Sequence, residues 1–339
     1  MITKILIYLP IIGVLSGQGT IIDDSFYSES LSVTLMVDVY LPEGYNSQDT
    51  TTRYPVIYYL HGFSGNQNSS GTLTKRLDAI IGSSTIDPVI VVSPAGGTTY
   101  WTNNIYGLYE DYVVYDLVTY IDSVYNTNIS RDKRCISGCS MGGHGSMKLA
   151  LKHPDIFKGV VAHSGILHFV GDPELVSSEV LVENGGSGPF SPDAGPFSDA
   201  MFFWATYFSP NPTNPPYFVD LPFDNDGNII DSTNTKWLLN DPTFLATQLS
   251  PETNLAIYIS CDMDESLFSD NQAFVDTLES LGIPYSFHVH NDGHCGNRDV
   301  DIKALIFLDS VMSSSNVNIF DEQADIPQAN ILHQNHINP

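Results

Sequence analysis

Positive charge is scarce in this chain. Its 339 residues carry 13 Lys and Arg against 39 Asp and Glu, a net charge of −26. Such a surface repels phosphate backbones and anionic lipid, so neither nucleic acid nor membrane is expected as a partner. The charge itself reads as a solubility device. Cysteine is also scarce. Cys135, Cys139, Cys261 and Cys295 are too few to build a disulfide scaffold, and their spacing does not match a zinc site. Three pairings of all four are open. No internal repeat is apparent. After the first fifteen residues no run is long and apolar enough to span a bilayer.

The N-terminus has one basic residue in Met1-Ile2-Thr3-Lys4, an apolar run over 5–15, and the small residues of Ser16-Gly17-Gln18-Gly19. This predicts a signal peptide over 1–19 and a secreted or periplasmic protein. No cysteine follows the apolar run, so no lipid anchor is expected. The remainder is rich enough in apolar residues (42% of the whole chain) for a large core.

Residues 20–31 read as a lead-in segment. Over 33–41, apolar Val33, Leu35, Val37, Val39 and Leu41 alternate with residues such as Thr34 and Asp38, which predicts a half-buried antiparallel strand. The runs 54–60, 89–92, 159–162 and 256–260 are apolar almost throughout, as strands buried on both faces are. A further strand is expected at 285–289. Helices are expected at 73–81, at 109–125 with Val113, Leu117, Tyr120, Ile121 and Val124 on one face, at 143–151, at 270–281 and at 300–311. This alternation predicts an α/β fold, one doubly wound domain over 20–313 with a mostly parallel sheet and helices on both faces. Between 167 and 250 the composition turns to Pro, Gly, Asn, Asp and aromatics, which predicts an irregular insertion over the site. Asp224-Asn225-Asp226-Gly227-Asn228 reads as a tight turn, since it lacks the other ligands of a calcium loop. From 314 to 339 the chain is polar and aperiodic, a C-terminal tail.

The chemistry centres on Gly138-Cys139-Ser140-Met141-Gly142, a G-x-S-x-G match between a strand-like run and a helix-like one. That context is the nucleophile elbow, a sharp turn presenting a serine at a helix N-terminus. An activated serine needs a histidine base, and the base needs an acid to fix its tautomer. The expected chain order is Ser, acid, His. Of the histidines past Ser260, only His294 lies in a Gly-flanked loop just after a strand, so it is the candidate base. His288 and His290 are on or at the end of that strand and read as structural. The acid should follow the strand 256–260, where Asp262, Asp264 and Glu265 are candidates. Two N–H groups must hold the oxyanion. Met141, after the nucleophile, is one; Phe63, in the Gly-rich turn after His61, is the other. His61 reads as a residue that orients this turn.

Together these residues resemble a known family, the esterase branch of the α/β-hydrolases that takes in esterase D, feruloyl and acetylxylan esterases and the mycobacterial mycolyltransferases. The resemblance runs through Tyr59-Leu60-His61-Gly62, Tyr109-Glu110-Asp111, Gly138-Cys139-Ser140-Met141-Gly142-Gly143, His153-Pro154-Asp155-Ile156-Phe157-Lys158 and Ser164-Gly165. It returns at Trp237-Leu238-Leu239-Asn240-Asp241-Pro242 and Gly293-His294, covering roughly residues 30–312. It implies the α/β-hydrolase fold and a serine carboxylesterase that needs no cofactor and no metal. Its substrate would be a small ester or an acylated polysaccharide, such as a feruloyl or acetyl ester. The family's acid is usually an Asp four residues past the position of Cys261. Here that residue is Glu265, which is favoured, with Asp264 beside it as the alternative. Asp262 stands where the family has Gly, and Cys295-Gly296-Asn297 replaces an aromatic often found after the histidine. Because loops after neighbouring strands lie close together in this fold, a disulfide is expected between Cys261 and Cys295, pinning the acid loop to the histidine loop.

Three other readings compete. An acyltransferase would use the same residues. A non-catalytic carbohydrate-binding relative would not need them intact. A metal-dependent hydrolase is suggested by His288-Val289-His290-Asn291-Asp292-Gly293-His294, but Gly293 breaks the H-x-H-x-D-H spacing such enzymes use.

Overall fold

The architecture was read from a computed structural model, which describes residues 18–313 except 64, 169–172 and 251. Residues 1–17 of the expected signal peptide and the tail from 314 lie outside the described residues. The strands are β1 (Thr20–Ser28), β2 (Val33–Leu41), β3 (Val56–Leu60), β4 (Ile90–Pro94), β5 (Arg134–Cys139), β6 (Gly159–His163), β7 (Ala256–Asp262) and β8 (Ser286–His290). They form one sheet in the order β1-β2-β4-β3-β5-β6-β7-β8. β1 pairs antiparallel with β2, and β2 antiparallel with β4; the other pairings of this sheet are parallel.

The helices are α1 (Gly71–Gly82), α2 (109–124), α3 (Met141–Lys152), α4 (Pro173–Glu183), α5 (Pro196–Phe208), α6 (Asp231–Leu238), α7 (Pro242–Ala246), α8 (Phe268–Leu281) and α9 (Arg298–Ser313). α2 contains a π-helical turn over Tyr112–Leu117. The two-residue side-chain period of the strands feeds two separate cores. On one face Val56, Tyr58, Leu60, Ile90, Val92, Ile136, Ile257 and Ile259 pack with α2, α3 and α8. On the other, Ile57, Val91, Cys135, Ala256 and Tyr258 pack with Leu73 and Leu77 of α1 and with Leu305 and Leu308 of α9. Both faces are thus covered, which is why the central strands read as unbroken apolar runs. This is the α/β-hydrolase fold.

Two stretches depart from the expectation. The lead-in 20–31 contains β1, an edge strand whose residues are mostly exposed and which is held by its ladder to β2. The insertion is more ordered than its composition suggests. It carries α4 to α7, and Val180, Phe190, Met201, Ala205, Phe208, Val219, Phe223 and Trp237 form a third core of its own.

Candidate active site

Strand order reverses between β3 and β5, and in open α/β sheets ligands bind outside the carboxyl ends of strands at such a point. Ser140 is there, between the end of β5 and α3. Its backbone takes φ 57° and ψ −120°, in a region unfavourable for a residue with a Cβ, at a cost of about 1–3 kcal/mol. The surroundings enforce it. Ser140 N–H donates to the His163 carbonyl at 2.9 Å, and His144 N–H to the Ser140 carbonyl at 2.9 Å. The flanking glycines permit it. A Cβ on Gly138 would lie 2.6 Å from the Leu60 carbonyl oxygen, and one on Gly142 would overlap that same carbonyl.

The turn after β3 presses on this elbow. A Cβ on Gly62 would sit 3.6 Å from the Ser140 Cβ. His61, buried below, accepts the Gly96 N–H on Nε2 at 3.0 Å, and its Nδ1 lies 2.8 Å from the Gly62 carbonyl. This pattern requires a neutral ring with the proton on Nδ1, and burial lowers the His61 pKa accordingly. His61 therefore ties the turn to the loop after β4. Met141 is buried as the first residue of α3, while Phe63 is partly exposed, its ring 6.1 Å from Tyr100 and 6.2 Å from Phe203.

His294 and Glu265 meet: Nδ1 of the imidazole is 2.7 Å from Oε2 of the carboxylate. The other carboxylate oxygen, Oε1, accepts the Cys261 thiol at 2.9 Å and the Asp262 N–H at 3.3 Å. Burial works to raise the Glu265 pKa, but hydrogen bonds from Cys261, Ser164 and His294 outweigh it and leave it lowered. Asp264 takes no part in this contact; its N–H donates to Asp262 Oδ1 at 2.8 Å, in a turn that also binds the Gly293 N–H through Asp262 Oδ2. No hydrogen bond joins Ser140 to His294 among the described residues. What joins their segments is covalent.

That link corrects the expected pairing. Cys295 is bonded to Cys139, with the Cα atoms 5.6 Å apart, and Cys261 and Cys135 are buried free thiols. The histidine loop reaches across β6 and β7 to the end of β5, beyond the neighbouring strand. The Cys261 side chain instead turns to Glu265. One Cys139, His294 and Cys295 cluster has metal-ligand proximity among the described residues, but both of its sulfurs are committed to the disulfide. The His-rich run does not converge: His288 Nε2 lies 3.2 Å from Lys303 Nζ, His290 Nδ1 lies 3.9 Å from Asp262, and His294 turns to Glu265.

Two residues have roles that the sequence reading did not assign. The Ser164 hydroxyl, just past β6, accepts the Cys295 N–H at 3.0 Å and also bonds Glu265, so it bridges the loops that carry Glu265 and His294. Lys148 is fully buried in α3 and donates to the Tyr100 and Trp101 carbonyls, the Thr102 hydroxyl and Asn240 Oδ1 at 2.6–3.2 Å. It holds the loop after β4 in place. Burial pushes its pKa down to about 7. A lysine between Met147 and Leu149 was the available signal.

A strained serine at a strand–helix turn and a carboxylate-bound histidine on a loop at the same edge of the sheet thus stand on an α/β-hydrolase fold. The comparisons place the chain further. The family described as "Putative esterase" matches residues 28–294, and the chain belongs to it. An esterase of Mycobacterium tuberculosis (strain ATCC 25618 / H37Rv) is 26% identical over 301 residues, covering 85% of this chain and 59% of that protein. An endo-1,4-beta-xylanase/feruloyl esterase of Xylanibacter ruminicola is 31% identical over 151 residues, 42% of this chain and 21% of that protein. This chain therefore spans about three-fifths of the first relative and a fifth of the second. A solved ferulic acid esterase superposes with a TM-score of 0.61 at 20% identity, covering 87% of this chain and 99% of its own.

Proposed function

We propose that the protein is an exported serine carboxylesterase, and that the observation carrying this reading is the His294–Glu265 pair on a loop bonded to the neighbour of Ser140. With Nδ1–H facing the carboxylate, His294 Nε2 is the free base. It takes the Ser140 proton as Oγ attacks the ester carbonyl. The N–H groups of Met141 and Phe63 receive the oxyanion, aided by the N-terminus of α3. The proton then passes to the departing alcohol. Water, activated by the same imidazole, releases the acid from Ser140.

The substrate side rests on the aromatic wall. Phe63, Tyr100 and Phe203 stand within 6.2 Å of one another, centroid to centroid, beside the oxyanion turn. Such a wall suits a flat aromatic acyl group, as in a feruloyl ester on polysaccharide, and relatives named for feruloyl esters support that choice. Export is supported by the N-terminal sequence and by a disulfide, which persists in oxidising compartments.

The test is hydrolysis of p-nitrophenyl acetate and methyl ferulate by the purified protein, with and without EDTA, beside Ser140→Ala. Both esters should be cleaved, EDTA should not matter, and the variant should lose at least about 10⁴-fold in kcat. A Ser140→Ala protein with full activity would overturn the serine mechanism.

A further inference from the structure

We propose that the Cys139–Cys295 disulfide is a positioning element of the active site, holding His294 against the Ser140 elbow so that turnover depends on the bridge. The proposal rests on the serine mechanism above. The two bridged residues are the sequence neighbours of the nucleophile and the base: Cys139 precedes Ser140, and Cys295 follows His294. Their Cα atoms are 5.6 Å apart, and each reacting residue is one chain step of ~3.8 Å away. The bridge thus ties the two segments one residue from each reacting group. A His294 ring nitrogen and both sulfurs lie within 4.8 Å of one another, so the imidazole rests beside the bridge itself.

The two sides of the bridge differ in how firmly they are held. Cys139 ends β5 inside the sheet, and the next N–H is bonded to the His163 carbonyl. The histidine loop is different. Asn291, Asp292, Gly293, His294 and Asn297 are all exposed, and the His294 side chain keeps 51% of its surface in solvent. Gly293, Cys295 and Gly296 all have positive φ, at 82°, 67° and 75°. For Cys295, which has a Cβ, this conformation is unfavourable unless its surroundings impose it. Besides the bridge, the loop is held by Asp292 N–H to His290 Nδ1, Arg76 Nη1 to the Asn297 carbonyl, Gly293 N–H to Asp262, Cys295 N–H to Ser164, and the imidazole to Glu265. The last of these fixes one edge of the ring only. Without the bridge, Cys295 is free to leave the left-handed region, and His294 moves with it. A displacement of about 1 Å in a reacting group can cost on the order of 10²-fold in rate.

The experiment opens the bridge in the folded enzyme. Dithiothreitol supplies two electrons and two protons; the S–S bond breaks, two thiols form, and the reagent closes into its own cyclic disulfide. Both bridge residues are partly accessible, so the reagent can reach them. Wild type before and after reduction, the Cys139→Ser/Cys295→Ser double variant and Ser140→Ala are compared. The readings are kcat and KM on p-nitrophenyl acetate, the rate of labelling by a fluorophosphonate, and circular dichroism. The expected result is a fall on the order of 100-fold in both kcat and labelling rate, KM within about threefold, an unchanged dichroism spectrum, and recovery on reoxidation. If the reduced enzyme keeps its kcat and labelling rate while only its melting temperature drops, the bridge is a thermal staple and the proposal fails. Should the double variant not fold, the reduced wild type decides. If oxidised wild type is not labelled, or is labelled as fast as Ser140→Ala, the serine mechanism fails and the proposal falls with it; that outcome differs from rapid labelling of reduced wild type.

Discussion

Asp264 and Glu265 are adjacent acids, yet only the longer one meets the imidazole. Glu265→Gln keeps the shape but loses the charge, and its amide can offer a donor where His294 Nδ1–H needs an acceptor. We expect kcat to drop by about 10³–10⁴-fold, whereas Asp264→Asn should stay within about threefold, both read on p-nitrophenyl acetate. An equal loss in the two variants would contradict the geometry. Sequence order narrowed the acid to Asp262, Asp264 and Glu265, because it is set by the strand that precedes them, and the family resemblance favoured Glu265 with Asp264 as the alternative. Order alone could not choose among the three, since that depends on how the turn after β7 winds, and Asp262 winds it by accepting the Asp264 and Gly293 N–H groups. The cysteine pairing was misjudged for a related reason. Strand adjacency favours Cys261, but the loop after β8 crosses to the Ser140 elbow, and that brings Cys295 to Cys139. Ser164 was legible as part of the family resemblance but not in its role, because a hydroxyl that bridges two loops has no periodicity.

Elements whose burial follows a simple period were the legible ones, and β3 to β7 and the helices that cover them are of this kind. β1 was not, because its partner is a backbone ladder and most of its side chains face solvent. Nor was α5, whose sequence is apolar and aromatic nearly all round, with Met201, Ala205 and Phe208 turned into the insertion's core. The π-turn of α2 is equally silent in sequence; Val124, expected on its apolar face, is half exposed. Glu110, in the first turn of α2, locks that helix to the end of α3. The residue is 5% exposed, and its carboxylate lies 2.6 Å from Lys152 Nζ and 3.2 Å from His153 Nε2. Burial alone would raise its pKa, but the hydrogen bond from His153 and the charges of Lys148 and Lys152 bring it down to about 2. A lowered acid stabilises the folded state above its ordinary value of 4.5 and loses that contribution as pH falls towards about 2. Wild type should therefore lose about 3 kcal/mol more than Glu110→Gln between pH 5 and pH 2, by urea unfolding. Parallel curves for the two proteins would show that the pair does not stabilise the fold.

At the scale of the whole molecule the dominant fact is charge, and it is the one property that sequence gives in full. Several of the few cations are paired or buried. Arg76 pairs with Asp301, Arg134 with Asp122, Lys152 with Glu110 and Lys158 with Asp132, while Lys148 is buried among carbonyls. With 39 acidic and 13 basic residues in the chain, carboxylates outnumber cations threefold. Folding brings these like charges closer than the expanded chain does, so their repulsion opposes the folded state. Screening should relieve it. The Debye length falls from about 30 Å at 0.01 M salt to a few ångströms near 1 M, and exposed charges further apart than this cease to interact. The melting temperature should accordingly rise by about 2–5 °C between 0.01 M and 0.5 M NaCl, most steeply at the dilute end. NaCl and KCl should act alike, because the effect depends on ionic strength. Hydrolysis of p-nitrophenyl acetate, a neutral ester, should keep its KM over the same range. A melting temperature that is flat or falls with salt would mean that the carboxylates are placed so that attraction to the few cations outweighs repulsion, and that the net charge does not strain the fold.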